Sequence, residues 1–200
     1  MNENKSAEST NQSFPTSQQI EKELARISSQ GVKKSSPLKT LLFVLIVSAA
    51  VVVLITSIFC PVVKILGSSM QPTLNNEDVA LAVKTDELKR GDVCCFYNNN
   101  SLLVRRVIGV AGDVINVEAD GTVYVNDQAL EEAYVTEKAL GECDITFPFT
   151  VPENAYFVMG DNRPVANDSR LNEIGCVSKE RIVGKLLVTV WPVYSIGIVD

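Results

Sequence analysis

The chain has 200 residues, 46% of them hydrophobic, and a formal net charge of −6, which suits one folded domain with additional segments. An acidic chain without clustered Lys and Arg excludes nucleic acid as a natural partner, because that partner is held by neutralising phosphates. Histidine is absent, so the Ser-His-Asp triad, Cys-His nucleophile pairs and His-ligated metal sites are excluded together.

Residues 1–38 are polar, with Pro15, Pro37 and few large apolar side chains. They cannot bury enough apolar surface to offset ordering, and a disordered tail is expected, with at most a short helix over Ile20 to Ile27. From Leu41 to Phe59 run nineteen residues without a charge. As a helix they extend about 28 Å, one bilayer core. A removable signal peptide would have a shorter apolar region and small residues at its cleavage site; here the run ends Ile58-Phe59-Cys60-Pro61. A retained anchor over residues 39–63 is therefore expected. Lys33, Lys34 and Lys39 precede the run and only Lys64 closely follows it. The positive-inside bias thus places the tail in the cytoplasm and residues 64–200 outside.

The outer segment holds 12 Lys and Arg against 20 Asp and Glu. Short apolar runs bounded by turn residues predict strands at Asp78–Val83, Gly91–Phe96, Val104–Val110, Ala155–Met159 and Ile182–Trp191. Val114–Val117 and Thr122–Val125 alternate around Asp120-Gly121 and predict a hairpin. The fold class expected is mainly antiparallel β behind a single N-terminal transmembrane helix. The five cysteines contain no C-x-x-C spacing, which argues against a zinc ribbon or thioredoxin-like motif. Adjacent Cys94 and Cys95 should point to opposite faces of their strand. Cys143 and Cys176 lie in separate loop-like segments facing an oxidising space, and a disulfide between them is expected. No pattern implies a metal or an organic cofactor.

Four segments carry candidate chemistry: Gly67-Ser-Ser-Met-Gln-Pro-Thr-Leu74, Arg90-Gly-Asp-Val93, Val104-Arg-Arg-Val-Ile-Gly109 with Gly112-Asp113, and Met159-Gly-Asp-Asn-Arg163 with Asn167-Asp-Ser-Arg170. Each alone reads as a turn or an Asp–Arg-tied loop. In this order behind an apolar span, Ser69-Met70-x-Pro72-Thr73-Leu74, Gly91-Asp92-Val93, Arg106-Val-Ile-Gly109, Gly112-Asp113 and Gly160-Asp-Asn-Arg163…Asp168-Ser-Arg170 resemble the bacterial type I signal peptidases. The resemblance covers about residues 39–192. It implies a tethered antiparallel β-fold with a small inserted β-subdomain at roughly 113–152, and an apolar surface against the outer face of the cytoplasmic membrane. It also implies signal peptides of exported preproteins as substrates and a Ser–Lys dyad as machinery.

By that resemblance Ser69 is the nucleophile and its backbone N–H part of the oxyanion site. Met70, Pro72, Arg106, Asp161, Asp168 and Arg170 fall on positions that look structural. Two positions depart from the pattern. The general-base Lys is Arg105, and the Ser that orients the Lys amine is Ala166. A neutral Lys near neutral pH costs about 4 kcal/mol, which burial can supply, whereas a neutral guanidinium costs about 7–8 kcal/mol. Arg105 can donate a hydrogen bond to Ser69 but cannot take its proton. Cleavage is therefore expected to be weak or lost. Two readings follow: a peptidase using Ser69 with another base, from among Lys84, Lys89, Lys138, Lys179 and Lys185, or a non-cleaving paralogue that binds or chaperones exported or pilin-type surface proteins. For Arg105 itself, the plain alternative is a pair with a neighbouring carboxylate that fills the pocket.

Overall fold

The computed structural model describes residues 15–29, 37–85 and 87–199. The chain divides into two compact units, residues 1–51 and 52–200. In the first, helix α1 (Ser17–Ser29) occupies part of the segment expected to be disordered. Ile20, Leu24 and Ile27 recur at helical spacing along it, and all three are exposed; this periodicity gives the helix an apolar stripe. Residues 15–16 precede this helix and 37–38 open the next, and the rest of the expected tail lies outside the described residues. Helix α2 (Pro37–Phe59) is 23 residues long, about 34 Å. It is one helix long and apolar enough to cross a membrane, with its window Pro37–Leu54 wholly exposed to the surroundings.

The second unit is built on antiparallel strands. β1 (Val62–Lys64), β2 (Val79–Val83), β3 (Val93–Asn98), β4 (Ser101–Gly109), β9 (Ala155–Met159), β10 (Val177–Ser178), β11 (Ile182–Trp191) and β12 (Gly197–Ile198) make an eight-stranded sheet ordered β1-β2-β11-β3-β4-β9-β10, with β12 alongside β11. Between β4 and β9 the chain forms a second sheet, from β5 (Val114–Val117), β6 (Val123–Val125), β7 (Gln128–Ala129) and β8 (Phe149–Thr150), ordered β7-β6-β5-β8. The β5–β6 hairpin turns through Glu118–Gly121, where Gly121 has φ +86° and donates its N–H to the Glu118 carbonyl at 2.9 Å.

The pleat sorts the core. Val93 and Cys95 of β3 pack on one side with Met70, Leu74 and Leu186; Cys94 and Phe96 pack on the other with Val107, Tyr156 and Val158. Along β9, Phe157 and Met159 turn to a third cluster with Ile108, Ile115 and Val123, which joins the second sheet to the first. The bridge expected between Cys143 and Cys176 is not formed, and both stand as free thiols. The Cys143 thiol lies 3.5 Å from the Ile145 carbonyl of its own loop. Cys176 is drawn instead into the cluster around Phe157, and burial pushes its pKa up to about 11.

Candidate active site

The turn that follows β1 carries Ser69, and two neighbours fix its backbone. The Asn162 N–H donates to the Ser69 carbonyl at 3.0 Å, and the Asn162 side-chain amide donates to the Ser68 carbonyl at 3.1 Å. Met70 and Leu74 anchor the turn in the core at 1% and 0% exposure. The loop after β9 is thereby tied to the serine turn. Gly160 is needed where they meet: a Cβ there would lie 2.6 Å from the Ser69 carbonyl oxygen and would overlap the Cβ of Ala166. Ala166 is buried at this crossing, and a Cβ on Gly160 would also lie 3.6 Å from Arg105 Cδ.

Arg105 reaches the serine from β4. The strand pairs with β3 from Ser101 to Arg106, but with β9 only from Arg106 onward. Arg105 is thus the last residue before the second edge of β4 becomes paired. Its Nη1 donates to Ser69 Oγ at 2.8 Å and to the Val104 carbonyl at 2.5 Å; Nε and Nη2 donate to the Asn167 carbonyl at 2.9 and 2.7 Å. The alternative of a carboxylate partner is corrected: among the described residues the ion pairs include none to Arg105. Asp168, the carboxylate that acts on it most strongly, is already engaged by Arg170. Burial lowers the Arg105 pKa from its usual value, while Asp168 pulls it back up and Arg170 pushes it down.

The surrounding loops are clamped by buried bidentate pairs. Arg106 donates to Asp161 through Nε at 2.9 Å and Nη2 at 2.7 Å, with the Tyr134 ring 3.9 Å from its guanidinium carbon. Thr73, from the serine turn, donates to the same Asp161 at 2.5 Å. Arg170 grips Asp168 through its guanidinium at 2.8 and 2.7 Å, and the carboxylate also accepts from the Gly160 N–H at 3.0 Å and the Arg170 N–H at 3.2 Å. Arg163 pairs with Glu132 of the inserted segment, both side chains fully buried. Glu132 and Tyr134 lie in an irregular stretch, where no periodicity singles them out. Thr73 was within a motif, but only the fold reveals its partner.

Two hollows meet at Ser69 and Arg105. One, of about 440 Å³, is lined among others by Ser68, Asn99, Ser101, Asn167 and Glu173. The other, of about 120 Å³, is lined by Ile65, Leu66, Met70, Leu102 and Val104 and by Lys64, which pairs with Glu77, with Leu103 common to both hollows. The larger concavity lined by Lys84 and Lys179, about 620 Å³, contains neither Ser69 nor Arg105. Lys185 pairs with Asp92 at 2.6 Å, Lys89 lines a hollow with Arg90 and Ala111, and Lys138 acts on Asp120. Among the described residues, the side chain bonded to the Ser69 hydroxyl is Arg105.

A serine in a tight turn beside an open strand edge, on an antiparallel β-scaffold behind an apolar helix and without histidine, has the layout of a serine peptidase that works without a triad. The sequence model described as signal peptidase, peptidase S26 matches residues 38–191, and the chain belongs to that family of hydrolases acting on signal peptides. It is 36% identical over 174 residues to signal peptidase I U of Bacillus subtilis (strain 168), covering 80% of this chain and 92% of that protein. It is 32% identical over 188 residues to signal peptidase I of Bacillus licheniformis, covering 84% and 98%. A crystal structure of a signal peptidase I from Enterococcus faecalis V583 aligns with a TM-score of 0.43 at 30% identity, covering 50% of this chain and 97% of that one.

Proposed function

We propose that this protein is a signal peptidase I family member that receives signal-peptide segments of exported preproteins beside β4 but cleaves them poorly or not at all. The observation that carries the reading is the 2.8 Å bond from Arg105 Nη1 to Ser69 Oγ. Acyl transfer by a serine requires a neighbour that accepts its proton. A guanidinium has five donors and no acceptor, and stays protonated in proteins. The contact therefore runs in the wrong direction for general-base catalysis. The remaining aids, an extended peptide laid along a strand edge and the Ser69 backbone N–H as an oxyanion donor, can bind substrate without activating the nucleophile. Ala166 fits the same account, since it carries no hydroxyl with which to orient an amine.

We also assign the protein to the cytoplasmic membrane of a bacterium. Helix α2 spans it once, the Lys-flanked N-terminus is inside, and the β-unit is outside with its apolar C-terminal rim against lipid. The test of the catalytic reading is preprotein cleavage by the full chain in membranes, comparing wild type, Ser69→Ala and the double variant Arg105→Lys/Ala166→Ser. Wild type should stay at the Ser69→Ala background, and the double variant should exceed it by about 10²–10⁴-fold, the usual gain from a general base. Brisk wild-type turnover that Ser69→Ala abolishes would refute the reading.

A further inference from the structure

Among the described residues, four arginines of the β-unit are buried, and three hold a carboxylate: Arg106 with Asp161, Arg163 with Glu132, and Arg170 with Asp168. The fourth, Arg105, is 6% exposed. It is hydrogen-bonded to two carbonyls and a hydroxyl, and to no anion. A buried cation without a counter-ion carries a desolvation cost that an anion beside it would offset. Its neighbour is equally suggestive. Because the guanidinium donates, Ser69 Oγ accepts at 2.8 Å, and the serine's own proton is directed elsewhere. In a serine–amine dyad the same oxygen gives that proton to the amine. Here the hydroxyl presents an O–H to the cleft, and the Ser69 backbone N–H has no acceptor among the described residues. Two donors and a fixed positive charge converge where a peptidase would keep a nucleophile.

We propose that the cleft reads the free C-terminal α-carboxylate of an extended peptide, with Ser69 and Arg105 forming its anion site. The inference rests on the non-cleaving reading above and names the ligand of the same site: a peptide already cut, not a bond to be cut. Strand edge and charge together favour a peptide over a small inorganic anion. β4 is unpaired on its second side until Arg106, so Ser101–Arg105 offers backbone groups to an added strand that ends at the guanidinium. The hollow of about 120 Å³ beside it, lined by Ile65, Leu66 and Leu102 and by Lys64, whose charge is matched by Glu77, fits small apolar side chains near the peptide's end. Glu173 stands in the larger hollow but is exposed, and opposes the anion only weakly through solvent.

The full chain in detergent micelles should be titrated with a fluorescent heptapeptide ending Ala-Gln-Ala, once as the free acid and once as the C-terminal amide. The acid should bind about tenfold or more tighter, as for a charge-assisted bond gained at a buried cation. Arg105→Gln should bring the two forms to parity, and Glu173→Gln should tighten the acid form while leaving the amide unchanged. Excess acetate or inorganic phosphate should not displace the acid peptide. Equal binding of acid and amide to the wild type overturns the inference without calling on any variant, and displacement by phosphate overturns it as an adventitious ion only. Either result leaves the non-cleaving groove standing. Serine-dependent hydrolysis of a longer peptide would instead remove the reading beneath it.

Discussion

Adjacent residues on β4 show how context decides what a buried arginine does. Arg106 lies between β3 and β9 and is matched oxygen for nitrogen by Asp161. Removing it strands a carboxylate that is 1% exposed, so Arg106→Met should cost about 3–5 kcal/mol. Arg105 has no such partner to strand. Arg105→Met replaces a buried charge with an apolar side chain of similar length and releases two carbonyls, that of exposed Asn167, which water can serve, and that of buried Val104. The cost should be about 1–2 kcal/mol, below that of Arg106→Met. Chemical denaturation of the two variants checks the contrast, and a large loss for Arg105→Met would mean that the guanidinium is structural. The flanking motifs set the frame in which the sequence reading singled out Arg105. The sequence did not show the partners: a carbonyl acceptor leaves no trace in residue identity, whereas an Asp does.

At the scale of elements, runs of β-branched residues long enough to alternate were legible. Ile182–Trp191 forms β11 over the whole expected range, and the Asp-Gly hairpin appears as β5 and β6. Of the strands of two or three residues, β6 was legible through its hairpin turn, whereas β1, β7, β8, β10 and β12 were not, because so few positions carry no period and their pairing is decided by neighbours. What closes the inserted sheet onto β4 was equally hidden. Asp113 accepts from the Arg90 side chain, from the Val110 N–H at 2.8 Å and from the Asn126 amide at 3.0 Å. Burial opposes its charge, yet these bonds to Arg90, Val110 and Asn126 hold its pKa below the ordinary 3.8. A carboxyl with a depressed folded pKa adds stability above its unfolded pKa, and loses it as pH falls through the folded value. Asp113→Asn should therefore cost about 2 kcal/mol near pH 6. The gap to wild type should close progressively below about pH 3.8, where the wild-type carboxyl also becomes neutral. Melting curves at stepped pH measure this, and a gap independent of pH would show that shape, not charge, secures the junction.

For the whole molecule, the long apolar helix was readable from length and absence of charge, since among the described residues no other helix is long and apolar enough to cross a membrane. The apolar rim of the β-unit was not, because strand alternation hides which outward side chains cluster. From Leu186 to Val199 there is no charged residue, and Trp191, Val193, Tyr194, Ile196 and Ile198 are 58 to 90% exposed around the β11–β12 end. Water is a poor setting for such a patch. At about 1.5–3 kcal/mol for each fully buried large apolar side chain, even partial insertion of two or three would hold it at a bilayer interface, where Trp and Tyr are favoured. Trp191 is the chain's single tryptophan and sits on this rim, so its fluorescence reports the contact directly. In proteoliposomes its emission should be quenched by brominated phospholipid and shielded from iodide. Tyr194→Glu with Ile198→Glu should reverse both responses while leaving the α2 anchor in place. If iodide quenches Trp191 freely in the unaltered chain, the rim faces water, and the β-unit is held at the membrane by its helix alone.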